Sequence, residues 1–405
     1  MLSRIRHTAS ALAILISSLL LALAAQAEGR DVSSLKAMED EALIVELWQS
    51  GGELSDVFAA SFLQAVTPQQ IKAIMAPMLA DLGAAQTVLR LSDGEFELRT
   101  ATHRVPVFLS RNGDGLIEGL LIRPARKLEV DQASTLQAFM QMGSRISLLA
   151  TTDGQTVAEI NPDEKLAVGS AFKLAVLVEL HDRIETGEFD WAQVVELEQK
   201  HRSLPSGIMQ DWPAGTPVTL QTAAQMMIAI SDNTATDLLI DVLGRDALER
   251  RTGNVPLITT RELFHIRADA DLSNRYLQAD DLERKRALLA TLTEKRNPGV
   301  TDIEPFSLDH PAEWYFSASE LCGILKDVAD LPVMTAEAGP LSRSEWQRIA
   351  FKGGSEGGVL NMTAQFSGED GRTHCLAVTV NSERPIDANR FTSAFVDFAG
   401  TLGAL

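Results

Sequence analysis

The stretch VGSAFKLAVLVEL, residues 168–180, places a lysine inside an apolar run. The residues around Lys173 leave the predicted helix with little solvent-facing surface, where an unpaired ammonium is costly. Ser170 comes three residues earlier, so its hydroxyl and the lysine amine share one helix face. A serine is a poor nucleophile until a base takes its proton, and burial lowers the pKa of a lysine enough for it to be that base. The stretch therefore predicts a nucleophile and its base.

Two further motifs follow along the chain. Ser231-Asp232-Asn233 comes directly after the apolar segment QTAAQMMIAI, and Lys352-Gly353-Gly354 lies on a predicted terminal strand. Taken singly, the first could be a helix cap and the second a charge on a strand edge. S-x-x-K alone also occurs by chance, as Ser33-Ser34-Leu35-Lys36 illustrates. The order S-x-x-K, S-D-N, K-x-G in helix, interhelix loop and strand favours a catalytic interpretation of all three.

With these motifs and the flanking SGIMQDWPAGTPVTLQTAAQMMIAISDNTATDLLI, residues 130–405 resemble the class A β-lactamase-like serine hydrolases of the penicillin-recognising superfamily. The small α+β segment in front makes the layout similar to clavulanate-biosynthesis-type hydrolases, in which a steroid-isomerase-like domain comes first. The resemblance implies an α/β (α+β) fold: a β-lactamase-like domain with an antiparallel sheet flanked by helices and a helical subdomain, after a small cone-like (cystatin/NTF2-like) α+β domain.

The resemblance also implies roles for the first two motifs. Ser170 would be the acylated nucleophile and Lys173 its proton acceptor. Ser231 would relay the proton to the leaving nitrogen, and Asn233 would bind Lys173 or the side-chain amide of the substrate. Asp232 is expected to cap or brace its loop rather than touch substrate.

The third motif would form the substrate-binding strand. By the same resemblance, Lys352 would supply positive charge near Ser231 and the substrate carboxylate, and Gly354 and Ser355 would contact substrate. The oxyanion hole would consist of the backbone N–H groups of Ser170 and Ser355.

The sequence departs from the family pattern in two places. Gly353 stands where the family usually has a threonine or serine that helps to hold the substrate carboxylate, and Ser355 could partly substitute. The E-x-x-L-N loop, whose glutamate activates the deacylating water, is missing. Glu262 is the one acid near its expected place, and we interpret it as a structural or surface charge rather than a deacylation base. An amphipathic segment near residues 280–294 predicts a lid, and acylation is better supported than turnover.

The N-terminus predicts export. Arg4 and Arg6 precede an apolar stretch and then Ala25-Gln26-Ala27, which is typical of a secretory signal over residues 1–27. A periplasmic or secreted protein is expected, without a membrane segment after cleavage. Without those two arginines the net charge is 34 basic minus 55 acidic residues, or −21, which disfavours nucleic acid and anionic membranes as partners.

Neither a metal nor a cofactor is expected. The seven histidines never fall at metal-ligand spacing, and no phosphate-loop or dinucleotide glycine pattern occurs. An oxidising compartment would permit one bridge between Cys322 and Cys375, but the sequence leaves their pairing open.

Two domains are predicted, residues 28–128 and 129–405, joined by the polar stretch RPARKLEVDQAS. In the first, a capping box at Thr67 begins a helix, and turns at residues 92–94 and 112–115 separate antiparallel strands. The turn NGDG is interpreted as a hairpin rather than a calcium loop. In the second, a long helical region is expected from Ser170 to about Gly244, and strands at both ends are expected to share one sheet.

The first domain carries no chemistry that the sequence can identify. Cone-shaped isomerases use a tyrosine, and the two tyrosines, Tyr276 and Tyr315, lie outside it. A packing or partner-binding module is therefore expected. For the whole chain we expect a serine hydrolase that acts on a small-molecule β-lactam or related amide or ester. The alternatives are a penicillin-binding or peptidoglycan-sensing receptor and a D,D-peptidase, and the oligomeric state stays open.

Overall fold

The computed structural model describes residues 32–293, 295–303, 310, 312–343, 345–368 and 370–403. The predicted signal segment, residues 1–27, lies outside them. The chain divides into two units, Met1–Leu128 and Glu129–Leu405. In the part of the chain that is described, no helix is both long enough and apolar enough to cross a membrane.

Helices precede an antiparallel sheet in the first unit. The helices are α1 (Val32–Lys36), α2 (Asp40–Gln49), α3 (Ala60–Ala65) and α4 (Pro68–Leu82), and the strands are β1 (Thr87–Ser92), β2 (Glu95–Arg99), β3 (His103–Arg111), β4 (Ile117–Ile122) and β5 (Arg126–Lys127). The sheet has the order β1-β2-β3-β4, and β5 pairs with the opposite end of β3. Alternate residues such as Phe96 and Leu98 face a core shared with Leu43 and Trp48 of α2.

Local sequence signals in this unit have the predicted structures. The Thr67 side chain accepts a hydrogen bond from the Gln70 N–H, the Gln70 side chain accepts one from the Thr67 N–H, and Pro68 is the first helical residue. Between β3 and β4, Asn112 Oδ1 accepts hydrogen bonds from the N–H groups of Asp114 and Leu116, each at 3.0 Å. The capping box and the hairpin turn are therefore confirmed, while the likeness to a cone-shaped isomerase domain stays a prediction.

The second unit joins a five-stranded antiparallel sheet to a helical region. The helices are α5 (Gln132–Met140), α6 (Lys173–Glu185), α7 (Leu220–Ala229), α8 (Asn233–Leu243), α9 (Arg245–Thr252), α10 (Thr260–Ala268), α11 (Ala270–Gln278), α12 (Leu282–Ala290), α13 (Ala318–Val328) and α14 (Ala388–Leu402). The strands are β6 (Arg145–Thr152), β7 (Gln155–Ile160), β8 (Leu166–Ala167), β9 (Val194–Leu197), β10 (Thr216–Thr219), β11 (Tyr315–Phe316), β12 (Arg348–Glu356), β13 (Val359–Ser367) and β14 (Thr373–Asn381). The sheet order β12-β13-β14-β6-β7 confirms that strands from both ends of this unit form one sheet.

The central strand β14 is buried on both faces. Leu376 and Val378 belong to a core with α5 and α14, whereas Cys375 and Ala377 belong to the core of the helical region. This alternation explains the apolar run from Cys375 to Val378 within the strand. Cys375 forms a disulfide with Cys322 of α13, with a Cα–Cα distance of 6.0 Å, so the pairing that the sequence left open is made.

The helical region expected from Ser170 to about Gly244 is interrupted in its middle part by two strands. Helix α6 ends at Glu185, and the antiparallel ribbon of β9 and β10 precedes α7. β-branched residues such as Val195 and Val218 favour extended backbone in the ribbon, and Pro217 lacks the N–H that a helix interior needs.

Candidate active site

Ser170 lies in a single 3₁₀ turn, Gly169–Phe172, between β8 and α6. Side-chain atoms of Asn381 hold the strand before it, because Oδ1 accepts from the Ala167 N–H at 3.0 Å and Nδ2 donates to the Ala167 carbonyl at 2.9 Å. The next N–H along the chain donates to the Trp314 carbonyl at 3.1 Å. The backbone that presents the serine is thus fixed from two sides.

Strand β12 runs against this turn at Gly354. A Cβ placed on Gly354 would lie 2.0 Å from the Val168 carbonyl oxygen and 2.7 Å from the Ser170 nitrogen, so only glycine fits. A Cβ on Gly169 would in turn lie 3.3 Å from the Ser355 nitrogen. The close approach brings the backbone nitrogens of Ser170 and Ser355 near each other, which supports the predicted oxyanion hole and gives Gly354 a spatial role.

The Lys173 amine is fully buried and has three acceptors. Its Nζ donates to the Ser231 carbonyl at 2.5 Å, to Asn233 Oδ1 at 2.7 Å and to Ser231 Oγ at 3.1 Å. Burial lowers the pKa of Lys173 well below its usual value, and the charge of Lys352 acts in the same direction. A neutral amine has two hydrogens for the two shortest contacts, so its lone pair remains for a hydroxyl proton.

Ser231 Oγ connects the two lysines of the site. It lies 3.1 Å from Lys173 Nζ and 3.0 Å from Lys352 Nζ. Ser231 has a φ of +55°, a conformation that non-glycine residues rarely adopt, and its carbonyl also accepts from the Ser206 hydroxyl at 2.6 Å. Burial lowers the pKa of Lys352 to about 7, against an opposing effect of the Glu337 carboxylate. Ser231 Oγ is therefore within hydrogen-bond distance of both amines and can exchange a proton with either.

Asp232 braces the loop that presents Ser231, as predicted. Its carboxylate accepts from the Ala235 N–H at the start of α8 and from the N–H groups of Ile208 and Met209. Three backbone N–H groups are thereby satisfied by one fully buried side chain.

A cleft of about 880 Å³ within the second unit unites most of the predicted residues. Its wall includes the residues that the three motifs nominated, namely Ser170, Ser231, Asn233, Lys352, Gly354 and Ser355. Lys173 lies behind the wall and contacts it through Ser231 and Asn233.

Glu262 does not line this cleft. It is the third residue of α10 in a capping box: one carboxylate oxygen accepts from the Thr259 N–H at 2.8 Å, and the other accepts from Arg245 at 2.7 Å. Both oxygens are thus engaged, which supports a structural role, although the side chain is buried rather than on the surface. The pattern Thr259-Thr260-Arg261-Glu262 is the T-x-x-E capping signature, so the sequence itself indicates the structural role of Glu262.

The described part of the amphipathic segment on which the lid prediction rests does not line the cleft, whereas Leu263 and Phe264, earlier in the stretch that replaces the E-x-x-L-N loop, do. None of the described residues in the range 280–293 lines the cleft, and Leu289 and Leu292 instead pack into the core. The amphipathic pattern of α12 therefore reflects packing. Val300 and Ile303, a few residues later, line the cleft in its place.

Sequence reasoning missed a buried ionic group on the cleft wall. Arg267 forms ion pairs with Glu313 and Glu356, and Arg267 and Glu356 line the cleft. The three residues come from α10, from the residue just before Trp314 and from the end of β12. No local pattern connects them, so the sequence alone offered no signal for the group.

One acidic cluster approaches metal-ligand geometry. Ligand atoms of Glu198, His201 and Asp241 lie within 4.8 Å of one another. The Lys200 ammonium lies 3.3 Å from Glu198 and 3.0 Å from Asp241, and His201 Nε2 lies 3.1 Å from the same Asp241 oxygen. A side-chain cation thus already balances these carboxylates.

Replacement of Lys173 by methionine tests the base. Acylation of Ser170 by an activated ester is expected to slow by about two to four orders of magnitude, the share of a positioned general base. The measurement is stopped-flow release of the leaving group, with Lys165→Met as a control, because Lys165 is solvent-exposed at half of its side chain. Thermal melting of both variants checks the fold, and an unchanged acylation rate in folded Lys173→Met would contradict the assignment.

The pH dependence of acylation tests Lys352. Because burial lowers its pKa to about 7, the amine is charged below that pH and loses its charge as the pH rises. The acylation rate is expected to fall through about pH 7, since the positive charge beside Ser231 is lost. An uncharged ester is the probe, so that its own ionisation plays no part. Lys352→Met should acylate slowly without this decline, and a wild-type rate that stays level between about pH 6 and 9 would exclude the role.

Part of this chain is similar to a known protein family. Residues 132–296 match the model of a family described as "Beta-lactamase enzyme family". A comparison with curated proteins finds no match.

Three solved structures with similar folds are two β-lactamases and PBP-A. A β-lactamase from Sphaerobacter thermophilus is 20% identical, with 67% of this chain and 97% of that chain covered and a TM-score of 0.48. PBP-A is 17% identical, with 67% and 96% covered and a TM-score of 0.46. An ancestral class A β-lactamase is 15% identical, with 68% and 99% covered and a TM-score of 0.47. The family match and the arrangement of sheet and helices together give the second unit a β-lactamase-like fold.

Proposed function

We propose that this chain is an exported serine hydrolase that forms an acyl-enzyme at Ser170 with a β-lactam or a related amide or ester. One observation carries the proposal: a buried amine with a lowered pKa, Lys173, is linked through Ser231 Oγ to Lys352 on the wall of the cleft that holds Ser170. The family match over residues 132–296 supports a hydrolase. Export to the periplasm or the medium rests on the sequence of residues 1–27.

The proposed acylation begins at Ser170. Ser170 Oγ attacks the carbonyl carbon while its proton passes to the Lys173 lone pair. The carbonyl oxygen becomes negative and is stabilised by the N–H groups of Ser170 and Ser355. When the tetrahedral intermediate collapses, the proton moves from Lys173 through Ser231 Oγ to the leaving nitrogen or oxygen. The positive charge on Lys352 favours this transfer, and an ester at Ser170 remains.

In the part of the chain that is described, we assign no carboxylate to deacylation. Glu337, which lines the cleft, accepts a hydrogen bond from the Gly339 N–H at 2.7 Å. The carboxylate of Glu262 is engaged by Thr259 and Arg245, and the cleft-facing Glu356 is paired with Arg267. Water must then be activated by Lys173 and Ser231, which also serve acylation. A long-lived acyl-enzyme and slow turnover are therefore part of the proposal.

The same observation favours a second function. A penicillin-binding or peptidoglycan-sensing receptor needs acylation without rapid release, and a D,D-peptidase also does without the deacylating glutamate. The receptor and the hydrolase differ in the lifetime of the acyl-enzyme adduct. A persistent adduct favours the receptor, and a transient one favours the hydrolase.

Intact-protein mass spectrometry after exposure to penicillin G and to a small activated ester tests the proposal. Wild-type protein is expected to gain the mass of the acyl group, and Ser170→Ala is expected to gain none, because the attacking oxygen is absent. Ser33→Ala is the matched control, since Ser33 begins the other S-x-x-K match. An adduct on Ser170→Ala, or none on wild type with either reagent, would overturn the assignment.

Glu262→Gln tests the absence of a deacylation carboxylate. The variant keeps the shape of the capping residue but loses the charge that pairs with Arg245. The decay of a penicilloyl adduct at Ser170 is expected to change by less than about tenfold, well under the share of a general base. Single-turnover decay is followed by mass, with melting temperatures as the check on folding. Stabilisation of the adduct by about a hundredfold or more would make Glu262 the base after all.

A further inference from the structure

Four charged side chains occur among the described residues that line the cleft: Arg267, Glu337, Lys352 and Glu356. Two are cations and two are carboxylates. A substrate that carries a carboxylate beside its scissile bond needs a cation that other groups do not already neutralise. The partners of each cation therefore decide what charge the cleft can accept.

Arg267 already forms ion pairs with two acidic residues of the protein. The residue is buried, its Nη1 lies 2.6 Å from Glu356 Oε2, and its Nη2 pairs with Glu313, whose side chain is wholly buried. The two carboxyl groups also bond to each other, and burial raises the pKa of each, so they hold a proton between them. One guanidinium, one carboxylate and one neutral acid carry no net charge.

Lys352 is the other cation, and its charge is only partial near neutral pH, since burial lowers its pKa to about 7. Its amine donates to Ser231 Oγ and to the Gly353 carbonyl. Gly353 itself has no hydroxyl to share an anion with Lys352. A Cβ at Gly353 would lie 3.1 Å from the Phe351 ring and 3.2 Å from the Asn361 carbonyl, so there is little room for one.

The remaining wall is largely apolar. It includes Ile228, Ile230, Leu263, Phe264, Phe351 and Met362, and Ile230 is exposed to solvent at 42%. The chain as a whole has a formal net charge of −19, which slows the approach of anions. The apolar lining of the cleft and the negative net charge of the chain thus both disfavour anionic substrates.

We propose that this cleft selects uncharged acyl compounds with an apolar acyl group, and that the group Arg267–Glu313–Glu356 sets this preference by neutralising the guanidinium that a substrate carboxylate would otherwise use. The proposal rests on the acyl-enzyme function proposed above. It narrows the substrate class to neutral esters and amides and disfavours acyl compounds with a carboxylate near the reacting bond.

The test compares two p-nitrophenyl esters of similar size, the neutral pentanoate and the anionic hydrogen succinate, on the full chain at low salt. Wild type is expected to show a kcat/KM at least about thirtyfold higher for the neutral ester. The double variant Glu313→Gln, Glu356→Gln keeps the shapes but leaves the Arg267 charge unbalanced. Its ratio is expected to shift toward the anionic ester by about tenfold or more, an effect that salt should weaken.

Glu320→Gln is the control, because Glu320 is a carboxylate of the same unit that does not line the cleft, and it should leave both values unchanged. If the double variant does not fold, Glu356→Gln alone removes the anion on the cleft wall, and a shift of about threefold is expected because Glu313 can then ionise. Equal or better use of the anionic ester by wild type overturns the proposal, as does an unchanged ratio in a folded variant. Failure of both esters to acylate Ser170 would instead refute the hydrolase function.

Discussion

The placement of one amine in a dry interior governs the geometry of the site. Lys173 has no contact with water, so its hydrogens must find acceptors in the protein, and all three acceptors come from Ser231 and Asn233. This requirement fixes the loop between α7 and α8 relative to α6. The positive φ of Ser231 is tolerated because its carbonyl and hydroxyl are both held by neighbouring groups. Chemistry and packing therefore depend on the same contacts.

Residues that act through short-range patterns could be predicted from the sequence. The S-x-x-K spacing fixes which helix face carries Ser170 and Lys173, and the position of Asp232 just before a helix indicates a cap. The apolar run from Cys375 to Val378 in β14 likewise agrees with a strand buried on both faces. In each case the determining partners lie within one turn or one strand, so the local sequence contains the physical cause.

Features that depend on distant partners could not be predicted in this way. Arg267 and Glu313 are 46 positions apart, and nothing near either residue indicates that they meet at the cleft. The amphipathic pattern of α12 has two physical explanations, cover over a site or packing on a core, and periodicity cannot distinguish them. The place of Glu262 in chain order suggested a possible base, but the capping geometry directs its oxygens to Thr259 and Arg245.

The disulfide between Cys322 and Cys375 encloses strand β12 and the residues Lys352 to Ser355 in a covalent ring with a sequence separation of 53. Closing a ring of this length restricts the unfolded chain by about 4 kcal/mol in the chain-entropy view. The ring also has a topological consequence for proteolysis. A single cut between the two cysteines opens the ring without separating the polypeptide into two pieces, so the substrate-facing strand stays tethered to the rest of the unit. That tether keeps the parts of a nicked chain at high effective concentration.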